Sequence, residues 1–249
     1  MADVPALPVL SQLADAFADL VLGARCVGCE RPGRALCPAC WTALPGVATP
    51  HGTTPPAAGT VPTFAVGDYD TVLRALVLAH KEHRVLALTR PLGRLLARSV
   101  RAALDDAAVP AGSGPVLLVP VPSRPAAVRH RGHDPTLAMT RAAARALGPG
   151  VRVARLVRVR PGAGLVDQAG LGVAARAANL AGTLTAPAGV VRRAGERCPR
   201  AHVVLCDDVL TTGATLREAQ RALRATGVPV LAAATVAATR RKVDVPNFG

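Results

Sequence analysis

Residues His202 to Thr215 read His-Val-Val-Leu-Cys-Asp-Asp-Val-Leu-Thr-Thr-Gly-Ala-Thr, and this stretch constrains the fold more than any other. Val203 to Cys206 are a short, β-branched apolar run, the pattern of a strand buried on both faces. Two adjacent carboxylates, Asp207 and Asp208, follow where that strand is expected to end. Thr211, Thr212, Gly213, Ala214 and Thr215 then open a run with helical spacing at Leu216, Ala219, Gln220 and Leu223. A strand that passes into a helix through a small hydroxylated turn predicts an α/β fold with a mostly parallel sheet.

The turn has the chemistry of an anion site. The first amides of a helix lack internal partners, and the helix dipole adds partial positive charge there. Gly213 permits close backbone approach, and Thr211, Thr212 and Thr215 add hydroxyl donors. The Walker pattern GxxxxGK[ST] is absent, so a phosphate monoester fits better than a triphosphate. Ionised carboxylates only accept, which suits them to vicinal hydroxyls such as those of a ribose, at roughly 1.5–3 kcal/mol per charge-assisted bond. A ribose 5-phosphate presents both features. The competing reading is a βα turn whose acids cap the helix and whose threonines are solvated. Val203 to Thr215 resembles the phosphoribosyl pyrophosphate (PRPP) signature of type I phosphoribosyltransferases.

Aromatic residues make up 2% of the 249, so any core must be built from Ala, Val and Leu. The formal net charge is +14, carried almost wholly by arginine, since Lys81 and Lys242 are the only lysines. Arginine favours bidentate phosphate contacts. The excess suits an anionic substrate or a nucleic-acid surface, and equally an Arg-biased genome. The longest apolar run, Val228 to Ala238, is far shorter than the ~20 residues of a spanning helix. Met1 to Leu22 lacks a basic leader segment and places Val9, Leu10, Leu13, Phe17, Leu20 and Val21 on one helical face. The expectation is an amphipathic helix packing locally in a cytoplasmic protein without membrane insertion.

Cys26-Val-Gly-Cys29 and Cys37-Pro-Ala-Cys40 are two CxxC pairs separated by seven residues. Each pair offers two thiolates from one turn, and two turns complete a tetrahedron. Zinc occupies all-thiolate sites more often than iron, and two disulfides or a CxxC redox centre are the alternatives. With four protein ligands no position stays open for water, so the expected role of the Zn²⁺ is structural. Cys206 is expected as a core filler, and Cys198 has no assigned role. Pro45 to Pro62 reads as a Pro/Gly-rich linker. The expected division is therefore residues 1–60 for helix, knuckle and linker, and residues 61–249 for the larger domain.

Within that domain, Thr63 to Asp68 predicts a strand, and Asp70 a cap for the helix that ends near Lys81. Val116 to Pro122 predicts a strand leaving the sheet at two prolines, where Ser123 and Arg124 follow. Ligands gather at that carboxyl edge in open α/β sheets. Arg124, Arg129, Arg131 and Gly132 form a basic loop, either solvated or able to close on a diphosphate. Pro135 starts a helix that Gly148 ends. The alternation from Val151 to Val159 predicts one half-exposed strand. A basic loop to Arg200 and a last strand from Val228 to Ala237 complete the reading.

The order of these segments resembles the ComF/GntX family over nearly the whole chain. The resemblance rests on the two CxxC pairs, the helix ending near Lys81, Val-Pro-Val-Pro with Arg131-Gly132, Gln168-Ala-Gly-Leu with Arg176 and Asn179, and the PRPP signature. One departure is that Phe-Asn-Gln, usual after Arg-Gly, is here His133-Asp134-Pro135. The resemblance implies a type I phosphoribosyltransferase-like fold that binds PRPP with Mg²⁺. It implies that Thr211, Thr212, Gly213, Ala214 and Thr215 hold the 5-phosphate, and that Ser123, Arg124, Arg131 and Lys81 lie toward the diphosphate. Asp207 and Asp208 would bind the ribose hydroxyls and stabilise an oxocarbenium-like transition state. The acceptor is unspecified. A competence-machinery protein and single-stranded DNA are the partners the resemblance adds, and the alternative to catalysis is PRPP sensing or DNA binding without turnover.

Overall fold

The apolar run that begins at Val203 lies inside a six-stranded sheet. The computed structural model describes residues 25–51, 60–110, 112–161 and 180–239. In chain order these form α1 (Pro38–Thr42), β1 (Thr49–His51), β2 (Thr63–Asp68), α2 (Thr71–Lys81), α3 (Thr89–Asp106), β3 (Val116–Pro120), α4 (Pro125–Arg131), α5 (Pro135–Leu147), β4 (Val151–Val153), β5 (Arg158–Val159), β6 (Leu184–Thr185), α6 (Ala188–Arg197), β7 (His202–Leu210), α7 (Ala214–Arg224) and β8 (Ala232–Ala238). The large sheet has the order β1-β2-β8-β7-β3-β4, and β5 pairs with β6 apart from it. Only β1 runs antiparallel to its neighbour in the large sheet. This is an α/β fold with a mostly parallel central sheet and helices on both faces.

Alternation along the strands divides the core. Leu118, Val204, Cys206, Ala234 and Val236 meet Leu92, Leu95, Leu96 and Val100 of α3, with Met139 and Ala143 of α5. Leu117, Val119, Val203, Leu205 and Ala233 meet Leu216, Ala219 and Leu223 of α7 on the other face. With aromatics so scarce, close approach replaces side-chain bulk. At the α3–α5 crossing a Cβ on Gly93 would stand 2.3 Å from the Ala142 Cβ and 2.9 Å from its backbone. Gly93→Val is therefore expected to destabilise by about 1–3 kcal/mol through overpacking, read as a lower urea midpoint with unchanged m-value.

Topology locates the site. From β3 the chain proceeds through α5 to β4, and from β7 through α7 to β8, in opposite directions along the sheet. β3 and β7 are neighbours, so their carboxyl ends flank a topological switch point, where helices leave to opposite sides and open a crevice. The Asp207-Asp208 pair and the Ser123-Arg124 segment both lie there.

Several elements differ from the sequence expectation. β7 does not end at Cys206; β8 outlasts β3 alongside it, pairing Asp207 with Thr235 and Leu210 with Ala238. The expected strand from Val151 to Val159 is two short strands in different sheets, because Leu156 and Val157 turn into the core between them. Within the presumed linker, Thr49–His51 adds an edge strand to β2, a position where Pro50 is tolerated. The arginine loop is the helix α4, closed by Gly132, and the basic loop before Arg200 contains α6. The last strand starts at Ala232 rather than Val228. The Met1–Leu22 helix, the Gln168-to-Asn179 segment and the Arg240–Lys242 tail lie outside the described residues. Among the described residues no helix is long and apolar enough to cross a membrane.

Candidate functional site

β7 delivers the two carboxylates as part of its own backbone ladder. Asp207 Oδ1 accepts from the Asp208 amide at 2.8 Å, and Asp208 Oδ1 from the Val209 amide at 2.8 Å. The other Asp208 oxygen accepts from Lys81 Nζ at 2.6 Å. α2 thus places its last residue against an acid 127 positions later in the chain. Burial alone disfavours the Lys81 ammonium, yet the Asp208 charge and hydrogen bond, helped by Asp207, hold its pKa above the ordinary lysine value. Asp207 is pushed well above the usual carboxylate range, by burial first and then by the Asp208 charge.

That shift has a consequence for stability. A carboxyl whose folded pKa is raised favours the protonated form in the native state, so it lowers stability as pH rises above the unfolded-state value of about 4. Asp207→Asn keeps the Oδ1 acceptor and removes the charge. It is expected to raise the melting temperature at pH 7 and to leave it unchanged near pH 3, as a pair of calorimetric scans would show.

The turn after β7 ends in Gly213, whose φ of +71° places it in the left-handed region at the N-cap of α7. Its carbonyl accepts from the Arg217 amide at 2.9 Å, and the Ala214 amide donates to Thr212 Oγ1 at 3.3 Å. Thr239, the residue after β8, braces the turn, its hydroxyl donating to the carbonyls of Leu210 and Thr211. Thr211, Thr212 and Thr215 keep at least partial exposure, while Ala214 is buried. The outcome is a fixed loop with helix amides and hydroxyls beside the acid pair.

At the end of β3, Ser123 Oγ donates to Asp134 Oδ1 at 3.2 Å, and the same oxygen accepts from the Leu137 amide at 3.1 Å as the N-cap of α5. Arg124 stands at the N-cap of α4. Arg131 forks onto Glu82, with contacts of 2.8 Å, 3.0 Å and 3.1 Å. Beneath them His80 is buried, its Nε2 2.9 Å from Thr89 Oγ1 and its ring edge-on to His133 at 5.6 Å. Burial first, and His133 second, bring His80 down to about 4, so it is neutral at pH 7. His133 Nε2 is the one buried side-chain polar atom among the described residues without a hydrogen-bond partner.

The structure therefore gathers Lys81, Asp207 and Asp208 directly and places the 211–215 turn at the same sheet edge. Arg131 is joined to this group through Glu82, the residue after Lys81. Sequence reading missed Glu82 and Asp134, which organise Arg131 and Ser123. The signal for Glu82 was the charged run His80-Lys-Glu-His-Arg84, and that for Asp134 its place ahead of Pro135.

The four cysteines form a second centre. Their sulfurs all lie within 4.8 Å of one another, with Cys29 Sγ to Cys37 Sγ at 3.7 Å, and all are free thiols. Tetrahedral Zn–S bonds of about 2.3 Å separate sulfurs by roughly 3.8 Å, so this donor set fits zinc. The Cys37 amide donates to Cys26 Sγ at 3.3 Å and the Cys40 amide to Cys37 Sγ at 3.4 Å, as thiolate ligands require. The knuckle docks on α3 through Trp41, flanked by Arg98 at 4.9 Å and Arg94 at 5.9 Å, while Arg98 donates to the Pro45 carbonyl at 2.6 Å.

Residues 137–249 match the family model of the phosphoribosyl transferase domain. The matched segment contains Asp207, Asp208 and the whole 211–215 turn. It leaves Lys81, Ser123, Arg124, Arg131 and the four cysteines outside. No curated protein matches the chain.

Proposed function

We propose that the chain binds PRPP with Mg²⁺ in the crevice between β3 and β7 and transfers its phosphoribosyl group to an acceptor, releasing diphosphate. What carries this reading is the acid pair beside a hydroxylated helix N-terminus at the switch point, inside the segment that matches the phosphoribosyl transferase domain. In this reading the α7 amides and Thr211 to Thr215 hold the 5-phosphate. Asp207 and Asp208 accept from the ribose hydroxyls, and Ser123, Arg124, Arg131 and Lys81 face the diphosphate. The hard carboxylate oxygens of the acid pair suit Mg²⁺, which when bound neutralises charge on the diphosphate.

Lys81 holds Asp208 in the free chain, so ribose hydroxyls reach that oxygen only as the ammonium swings away. A diphosphate gives the ammonium a new partner, and the exchange conserves one charge-assisted bond. The bond from the anomeric carbon to the diphosphate oxygen breaks with its electron pair leaving on diphosphate. The acid pair stabilises the oxocarbenium-like centre electrostatically. The acceptor's lone pair forms the new bond, and its proton passes to solvent.

Support for the finer assignment to ComF/GntX, with its competence link and single-stranded-DNA partner, comes from the order of segments described above. The test is diphosphate release from PRPP and Mg²⁺ with a panel of small bases and amines. Acceptor-stimulated release supports transfer. Tight PRPP binding without release under every acceptor would instead favour a sensing protein, and no PRPP binding at all would end the reading.

A further inference from the structure

A second cleft, of about 680 Å³, runs between α5 and α6 across β4, the outermost strand of the sheet. Its lining includes none of Lys81, Ser123, Arg124, Arg131, Asp207, Asp208 or the 211–215 turn. Five arginines line it, Arg141, Arg152, Arg155, Arg193 and Arg197, and among the described residues no Asp or Glu does. Among the described residues none of the five has an ion-pair partner. Its floor is apolar, with Leu117, Leu137, Leu156 and Val190.

The arrangement is not explained by an Arg-rich composition alone. α6 turns Val190, Arg193, Ala194 and Arg197 into the cleft, spaced as one helical face. Its Arg192–Glu196 pair, also i,i+4, is absent from the lining. Carboxylate compensation was thus available on this helix and occurs only away from the cleft. Arg193 and Arg197 face it as a like-charged i,i+4 pair, which destabilises an isolated helix. Five arginines lining one concavity with no ion-pair partner among the described residues suit a polyanion. The volume falls in the range of small-molecule sites. An acidic peptide spreads its charges along a backbone, whereas a polyphosphate concentrates them within one cleft lined by five arginines, which can grip it with bidentate contacts. The apolar floor is left for a planar base, on which guanidinium planes also stack.

We infer that this cleft is a second site that takes a nucleoside di- or triphosphate, phosphates on the arginines and base on the floor. ATP without added magnesium is the probe, titrated calorimetrically into the full zinc-loaded chain. One ATP per chain is expected. Arg152→Ala/Arg193→Ala should weaken it at least tenfold, and so should Ala194→Trp, which blocks the cleft without removing charge. Arg152 and Arg193 are exposed, so their replacement keeps the fold; Ala194 is half-buried, so an unchanged urea midpoint is required of Ala194→Trp, and agreement between the two variants then separates occupancy from stability. Asp207→Asn/Asp208→Asn should bind ATP as the wild type does. Inorganic triphosphate should bind at least tenfold more weakly than ATP. Failure of ATP to bind, or binding unchanged in both cleft variants, would overturn the proposal. So would equal affinity for inorganic triphosphate, which would leave the base without a role. A 20-mer oligothymidylate that binds through the cleft at least tenfold more tightly than ATP would replace the nucleotide with a nucleic-acid strand.

Discussion

Removing the metal from the four-cysteine centre is expected to unfold the knuckle and expose the surface of α3 beneath it. Among the knuckle's described residues only Cys26, Ala35, Cys37, Leu44 and Ala48 are buried apolar groups, too small a core to order the segment alone. Structural zinc contributes on the order of 10 kcal/mol to such a unit. Without it the four sulfurs must share protons: amide bonds outweigh burial to bring Cys26 down to about 6, while its sulfur neighbours push Cys40 up to about 12. The chain's single tryptophan, Trp41, sits between this centre and α3. A chelator should therefore release one zinc per chain together with a red shift of Trp41 emission. Folded protein that contains no metal, or release that leaves Trp41 emission untouched, would sink the assignment.

The second large effect is expected at the acid pair. Asp207→Asn/Asp208→Asn keeps the shape of both side chains and their amide contacts but removes the negative charge of the acid pair. It also frees Lys81 from the 2.6 Å ion pair, so the loss of ligand affinity is partly offset by an ammonium no longer held by an acid. Charge-assisted bonds to hydroxyls are worth about 1.5–3 kcal/mol each. Affinity for PRPP with Mg²⁺ should fall at least tenfold, equivalent to about 1.4 kcal/mol. Calorimetric titration reads it directly, and affinity equal to wild type would remove the acids from the site.

Local chemistry made the central parts of this fold legible. The apolar run, the acid pair, Gly213 and the helical spacing after it are contiguous, and Asp134 with Pro135 announces α5 in the same way. Where tertiary pairing decides, the sequence was silent. β7 runs on to Leu210 because β8 lies beside it, and Leu156 and Val157 break the alternating segment because the core lies below them. α6 is amphipathic through Val190, Val191 and Ala194, but two glycines and a run of arginines concealed the period. The ion pairs of the site were also beyond reach, since Lys81 to Asp208 and Arg131 to Glu82 join residues far apart in the chain. The crevice at the end of β7 could be anticipated, and Lys81 and Arg131 with it, but not to which acids those cations are tied.

The central claim is that a ribose phosphate lies with its hydroxyls on the twin acids and its phosphate on the α7 turn. A thermodynamic cycle tests it most directly: ribose 5-phosphate and 2-deoxyribose 5-phosphate are each titrated into wild type and into Asp207→Asn/Asp208→Asn. The account predicts at least a tenfold preference for ribose 5-phosphate in wild type, lost in the variant, with 2-deoxyribose 5-phosphate, which keeps its 3-hydroxyl, losing less affinity between the two proteins than ribose 5-phosphate does. The same preference in both proteins, or none in either, would contradict it.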